Sequence, residues 1–200
     1  MQPDKHVRPE FLAAFRELAG RIASTLTQVP KRTLPIRMCV AGGAALHLYT
    51  GERVSADIDA SFSHRIALPD DLEVSYVGPD GTAQLLFFDR QYNDTLGLLH
   101  DDAYDDSLPL KLDGIDSAVL DVRLLSPLDL AVSKLGRFSE QDRSDIVALA
   151  KLKLVDSGRL RARAQAALAG YVGDIKCVTG AIDIACRILD DLQRVPKRHK

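Results

Sequence analysis

Between Pro9 and Leu26, apolar side chains recur at Leu12, Phe15, Leu18, Ile22 and Leu26, the step of a helix that buries one face. Pro30 and Pro35 punctuate a short connection. A mostly apolar run follows, Ile36-Arg37-Met38-Cys39-Val40, ending in Ala41-Gly42-Gly43. The pattern predicts a strand that stops at paired glycines and passes into a short helix over Ala44–Tyr49, closed by Gly51. Ala56–Phe62 reads as a second strand. Leu72–Val77 and Thr82–Arg90 flank Gly78-Pro79-Asp80-Gly81, and Leu108–Leu112 and Ala118–Leu125 flank Asp113-Gly114, two hairpin signals. From Ser126-Pro127 the pattern turns helical, an N-cap with proline at the first helical position. Leu128, Ala131, Val132 and Leu135 form one apolar face. Further helices are predicted over about Asp142–Leu154, Arg159–Leu168 and Asp174–Leu192. The class is α+β: a mixed sheet after an N-terminal helix, then a helical C-terminal part. Residues 1–125 are expected to form the core, with 126–200 packed on it.

Composition narrows the possibilities. With 46% hydrophobic and 27% charged residues, the 200-residue chain has enough apolar material for a buried core. Its 26 Lys+Arg against 28 Asp+Glu give a net charge of −2, so bulk charge does not hold nucleic acid and any such contact needs a local patch. There is no Trp, which weakens a base-stacking platform. Cys39, Cys177 and Cys186 are odd in number and contain no CxxC pair, arguing against a zinc site or a disulfide framework. The start MQPDKHVRPE lacks an apolar targeting stretch, and no apolar run reaches the ~18–20 residues of a membrane span. The expected location is cytoplasmic, with no membrane partner.

The candidate chemistry lies in Val40-Ala41-Gly42-Gly43-Ala44-Ala45-Leu46 and Arg53-Val54-Ser55-Ala56-Asp57-Ile58-Asp59. In a strand, residues i and i+2 share a face, so Asp57 and Asp59 are expected to project together. Two like charges side by side call for a cation, and a hard ion such as magnesium suits oxygen ligands. The glycines allow close backbone approach, and the following helix offers N–H groups to a phosphate. Arg53 and Ser55 add donors to phosphate oxygens. The thirteen residues between Gly43 and Asp57 leave room for a short helix and a return strand. The order strand, Gly-Gly, helix, strand, Asp-x-Asp therefore reads as a site for a nucleoside triphosphate with its metals. An Asp-x-Asp of the phosphatase kind fits poorly, because the approach Glu52-Arg53-Val54-Ser55-Ala56 is not strongly apolar.

Gly42-Gly43 followed by Arg53-x-Ser55-x-Asp57-Ile58-Asp59 resembles the signature of the polymerase-beta-like nucleotidyltransferase superfamily. Leu125-Ser126-Pro127-Leu128-Asp129-Leu130-Ala131-Val132-Ser133-Lys134 is similar to the third motif, and Gln141-Asp142-Arg143-Ser144-Asp145-Ile146 to the fourth, of the subgroup holding the AbiEii and MenT toxins. The resemblance covers about residues 36–62 and 119–150. It implies that Ser55, Asp57 and Asp59 serve the nucleotide and metal site, with two magnesium ions. It further implies that Lys134 reaches the triphosphate, and that Asp142 and Asp145 are the acids of the fourth motif. Gln141 stands where a basic residue is usual. A third metal-side carboxylate is usual in the superfamily; Asp89 and Asp121 are the candidates, with Asp89 preferred because it is nearer in the chain to Asp57 and Asp59.

The implied activity is transfer of a nucleoside monophosphate from a nucleoside triphosphate to a macromolecular acceptor, a tRNA end above all, by a toxin restrained by an antitoxin. The alternatives are an aminoglycoside-type small-molecule acceptor and a catalytically silent binding protein of the same fold. The tail Arg194–Lys200 and the residues Arg159, Arg161 and Arg163 are basic enough to contact RNA phosphates, although the three arginines do not form one helical stripe. Asp101, Asp102, Asp105 and Asp106 read as a solvated loop. His47 and His100 have no partner at ligand spacing and read as structural or surface residues.

Overall fold

The computed structural model describes residues 1–3, 5–94 and 97–194. Of the basic tail, Val195–Lys200 lie outside the described residues. The chain divides into two compact units. One comprises Met1–Tyr92 and Asp106–Leu125, the other Asn93–Asp105 and Ser126–Lys200. The segment Asn93–Asp105 thus belongs with the C-terminal part of the chain.

In the first unit, α1 (Pro9–Thr25) opens with proline in its first turn, where a missing N–H costs nothing. Its apolar stripe buries Phe11, Phe15, Leu18 and Ile22 to 1% exposure or less, packed on β4 (Glu73–Val77) and β5 (Ala83–Phe88). β1 (Ile36–Val40) runs parallel to β7 (Leu120–Leu124), with Met38 opposite Val122. Alternation places Ile36, Met38, Val40, Leu120, Val122 and Leu124 in the core. The antiparallel hairpin of β6 (Leu108–Pro109) with β7 is present but short. That of β4 with β5 turns through Gly81 at positive φ.

Two expectations are corrected here. The helix after the glycines, α2, spans Gly42–Thr50, so both glycines lie inside its first turn. It ends as expected at Gly51, which takes a left-handed φ of 67° and donates its N–H to the His47 carbonyl. The single strand expected over Ala56–Phe62 is two strands in two sheets. β2 (Asp57–Ile58) runs parallel to β5, while β3 (Ala60–Phe62) runs antiparallel to β1. Asp59 is the crossover: its carbonyl accepts from Ala41 N–H at 2.8 Å, while the preceding Ile58 carbonyl accepts from Asp89 N–H at 3.0 Å. The result is a four-stranded sheet, β3-β1-β7-β6, and a three-stranded sheet, β2-β5-β4. The fold class is α+β with mixed sheets.

The second unit is helical: α3 (Pro127–Ser133), α4 (Glu140–Lys151), α5 (Ser157–Ala167) and α6 (Ile175–Arg194). α4 and α5 each begin about two residues before their predicted starts, because the caps are Ser139 and Asp156. Val178, Ala181, Ile182, Ala185, Cys186 and Leu189 of α6 form its buried stripe. No helix among the described residues is long and apolar enough to cross a membrane.

Candidate functional site

The residues singled out from sequence fall into two clusters, one in each unit. In the first unit, α2 begins after Ala41, which supplies no side-chain cap; the N–H groups of a helix's first turn point out of its end. Gly42 has φ of 59°, and a Cβ there would overlap the Asp59 carboxylate. A Cβ on Gly43 would lie 2.8 Å from Ser55 Cβ and 3.0 Å from Arg53 Nη2. Ser55 is buried and its hydroxyl donates to Asp57 Oδ1. Gly42, Gly43, Arg53, Ser55, Asp57 and Asp59 are therefore gathered at the start of α2.

Burial alternates over the three residues, with Ile58 buried between half-buried Asp57 and Asp59. Asp57 belongs to β2 and is tied to the helix start through Ser55, while Asp59 sits at the switch between sheets and lies against Gly42. The glycines are required first by the chain itself, since the helix could not otherwise approach Asp59 and Ser55.

The two candidates for a third carboxylate differ in their surroundings. Asp89 follows β5; its Oδ1 accepts from Gln91 N–H at 2.8 Å. Asp121 on β7 is paired with Arg123 Nη1 at 3.2 Å, and the same guanidinium donates to Ser107. Among the described residues no three His, Cys, Asp or Glu side chains are grouped to hold a metal ion. What the site offers is two carboxylates and a hydroxyl, all hard oxygen donors, beside the N–H-rich end of a helix. That donor set suits magnesium with a phosphate chain, because the phosphate and water oxygens supply the remaining ligands.

The second unit gathers Lys134, Asp142 and Asp145. Lys134 caps the C-terminal end of α3. Its Nζ lies 2.6 Å from Asp145 Oδ2 and 3.8 Å from Asp142 Oδ1, with the three side chains 8%, 2% and 3% exposed. Asp142 closes a capping box with Ser139 and receives Arg137 Nε and Nη2, each at 2.9 Å. Burial pushes its pKa up, but the Arg137 guanidinium and the Ser139 donors outweigh this and hold the carboxyl at about 2. Gln141 Nε2 donates to Asp145 Oδ1 at 2.9 Å. The guanidinium partner of Asp142 is thus Arg137, which the sequence reading passed over. The pattern Ser139-x-x-Asp142 was the available signal.

Sequence reasoning also missed the Asp129–Arg163 pair. Asp129, 1% exposed, accepts from Arg163 Nε at 2.7 Å and Nη2 at 3.0 Å, and from the Ser126 hydroxyl at 2.6 Å. Arg163 is therefore a bolt between α3 and α5, and Arg161 is paired with Asp183 at 2.6 Å. Of the three arginines considered for RNA, Arg159 is exposed, the Arg161 side chain is 41% exposed and that of Arg163 is 16% exposed.

Of the two readings of His47, structural or surface, the structure selects the first: it is fully buried, edge-on to Phe11, with Nε2 accepting from Arg8 N–H at 3.3 Å and Nδ1 3.1 Å from the Glu52 carbonyl. A cleft of about 510 Å³ between α1, β4 and the turn at Asp113–Ile115 is lined by none of the residues gathered at the start of α2.

A family model described as a nucleotidyltransferase of unknown function (DUF6036) matches residues 18–176. The match includes both clusters. No curated protein matches the chain.

Proposed function

The chain belongs to this nucleotidyltransferase family, and on that premise we propose that it transfers a nucleoside monophosphate from a nucleoside triphosphate to an acceptor hydroxyl at the Asp57–Asp59 site, with magnesium. The observation that carries the reading is the convergence of Asp59 on Gly42, and of the Ser55–Asp57 pair on Gly43, at the opening turn of α2. Asp57 and Asp59 would hold the ions, two of them as the resemblance implies. Bound there, magnesium neutralises phosphate charge and lowers the pKa of the attacking hydroxyl. The first-turn N–H groups at Gly42 and Gly43 hold phosphate oxygens. Arg53, exposed beside Gly43, supplies positive charge as charge develops on the leaving group. The acceptor oxygen forms a bond to the α-phosphorus, the bond from that phosphorus to the bridging oxygen breaks, and pyrophosphate leaves. Positioning and electrostatics do most of the work.

The same proposal assigns catalytic roles to Lys134 and Asp142 and a nucleotide-binding role to Asp145, and names Asp89 as a further acid on the metal side. It takes a tRNA end as acceptor, in the cytoplasm, and the biological role of a toxin held by a protein antitoxin. Asp89 rests on the third carboxylate usual in the superfamily; the other finer points rest on the similarity of residues 125–134 and 141–146 to the toxins. An aminoglycoside-type acceptor and a silent binding protein are the competing outcomes.

The test incubates the protein with each labelled triphosphate, magnesium and total RNA, or an aminoglycoside, against Asp57→Asn. Label moving into RNA only with the unsubstituted chain is the expected result. Label in the aminoglycoside selects the small-molecule outcome. Equal labelling by Asp57→Asn removes the site, and no triphosphate binding by calorimetry leaves a silent fold.

A further inference from the structure

We infer that Phe87 is the floor of a base-binding subsite beside Asp57, selective for nucleobases that carry an exocyclic amino group. The inference rests on the nucleotidyl-transfer reading and adds what that reading leaves open, the ring recognised next to the acids.

The first support is register. β2 and β5 are parallel and Asp57 is paired with Phe87. Neighbouring strands lie about 4.8 Å apart, and paired residues share a face. Phe87 is 37% exposed although it sits within a strand, and Leu85, two residues earlier on the same face, is 43% exposed. The alternate residues Leu86 and Phe88 are buried. An aromatic ring left on the open face of a sheet, one strand from the candidate catalytic carboxylate, is unexplained by core packing.

The second support is a cleft of about 240 Å³ toward the β4 side of Phe87, lined by Phe87 and Phe88 with Asp70, Glu73, Asp89 and Gln91 among its polar walls and by none of the residues gathered at the start of α2. This is below the usual range for drug-sized ligands, about 300–1,000 Å³, and suits a single ring system. Arg90 also borders it, but its Nη2 donates to the Pro69 carbonyl. Three of the five polar side chains that line it, Asp70, Glu73 and Asp89, are carboxylates.

The chemistry selects the ligand. A base lays its π-face on an aromatic side chain whatever its identity. Ionised carboxylates only accept hydrogen bonds, so Asp70 and Glu73 suit the amino group of cytosine, adenine or guanine. Uracil would turn a carbonyl toward them. The same ring chemistry is offered by the base of the incoming triphosphate and by the terminal base of an RNA acceptor.

The experiment separates these sources. The chain has no tryptophan, so Phe87→Trp places a single emitter on the subsite. One arm titrates this variant with CTP, UTP or inorganic triphosphate without RNA. The other uses short RNAs ending in cytidine or uridine without triphosphate. Saturable quenching is expected in one arm, with the amino-bearing ligand at least about fivefold tighter than its uracil counterpart and inorganic triphosphate silent. In steady-state transfer, Phe87→Ala is expected to raise the KM of that same substrate by roughly 5- to 100-fold. Val77→Ala, on the same sheet but away from the cleft, leaves it unchanged.

No quenching in either arm, equal affinity for cytosine and uracil, or an unchanged KM in Phe87→Ala overturns the inference. The two readings fail separately. An inactive Asp57→Asn with a normal Phe87→Ala removes the subsite alone; an active Asp57→Asn removes the transfer site, whatever the quenching.

Discussion

Replacing Lys134 with methionine tests whether the second cluster is a structural ion pair, a catalytic one, or both. Lys134 Nζ sits 2.6 Å from Asp145 Oδ2, and the side chains of the two residues are 8% and 2% exposed. Removing the cation leaves a carboxylate in a site that water hardly reaches. Breaking such a pair from one side costs about 3–5 kcal/mol, because the remaining charge keeps its desolvation penalty and loses its attraction. Asp142 suffers less, since Arg137 and Ser139 still hold it. Urea unfolding followed by far-ultraviolet ellipticity is the assay. With a slope of about 1–3 kcal/mol/M, the midpoint falls by about 1 M or more. The double variant Lys134→Met/Asp145→Asn removes both charges while leaving an oxygen to accept from Gln141, and is expected to recover most of the loss. A single variant costing less than about 1 kcal/mol, or effects that simply add in the double variant, refutes the reasoning. If the double variant regains stability but not transfer, the proposed catalytic role of the cluster stands; if transfer returns with stability, the role of Lys134 is structural.

Two pH dependences follow from the buried ionisable groups. The Asp142 carboxyl is lowered from 3.8 to about 2, so its contribution is present above pH about 4 and is lost as pH falls through about 2. At 1.36 kcal/mol per unit this amounts to about 1–2 kcal/mol, after a discount for solvent around the exposed Arg137. An acid titration of stability in Asp142→Asn should lack that step, and an unchanged step assigns it elsewhere. His47 is lowered from 6.5, first by burial and then by Arg8, against opposing effects of Glu52 and Glu10. Its neutral form therefore favours folding above pH about 6.5, and that contribution is lost as pH falls through the lower folded value. His47→Gln should flatten the fall in stability between pH about 7 and 5; the same slope in both proteins removes His47 as its source.

Much of the local structure was legible in the sequence because its causes are local. The stripe Phe15, Leu18, Ile22 places α1 by periodicity, Ser126-Pro127 starts α3, Gly51 ends α2, and Gly78–Gly81 turns the β4–β5 hairpin. The grouping of Gly42, Gly43, Ser55, Asp57 and Asp59 was also within reach, since short chain distances and residue chemistry constrain it. What the sequence could not show is which strand receives which neighbour. Ala56–Phe62 looks like one strand, yet it divides at Asp59 because Ile58 finds β5 while Ala60 finds β1, partners that are distant in the chain. The ends of the charged side chains were equally hidden. Arg163 reads as a basic surface residue until α5 brings it to buried Asp129, and Phe87 reads as strand core until the register sets it beside Asp57. Periodicity and capping act between residues a few positions apart, so the chain carries them openly. Strand partners and buried ion pairs join residues tens of positions apart, and only the packed structure selects among them.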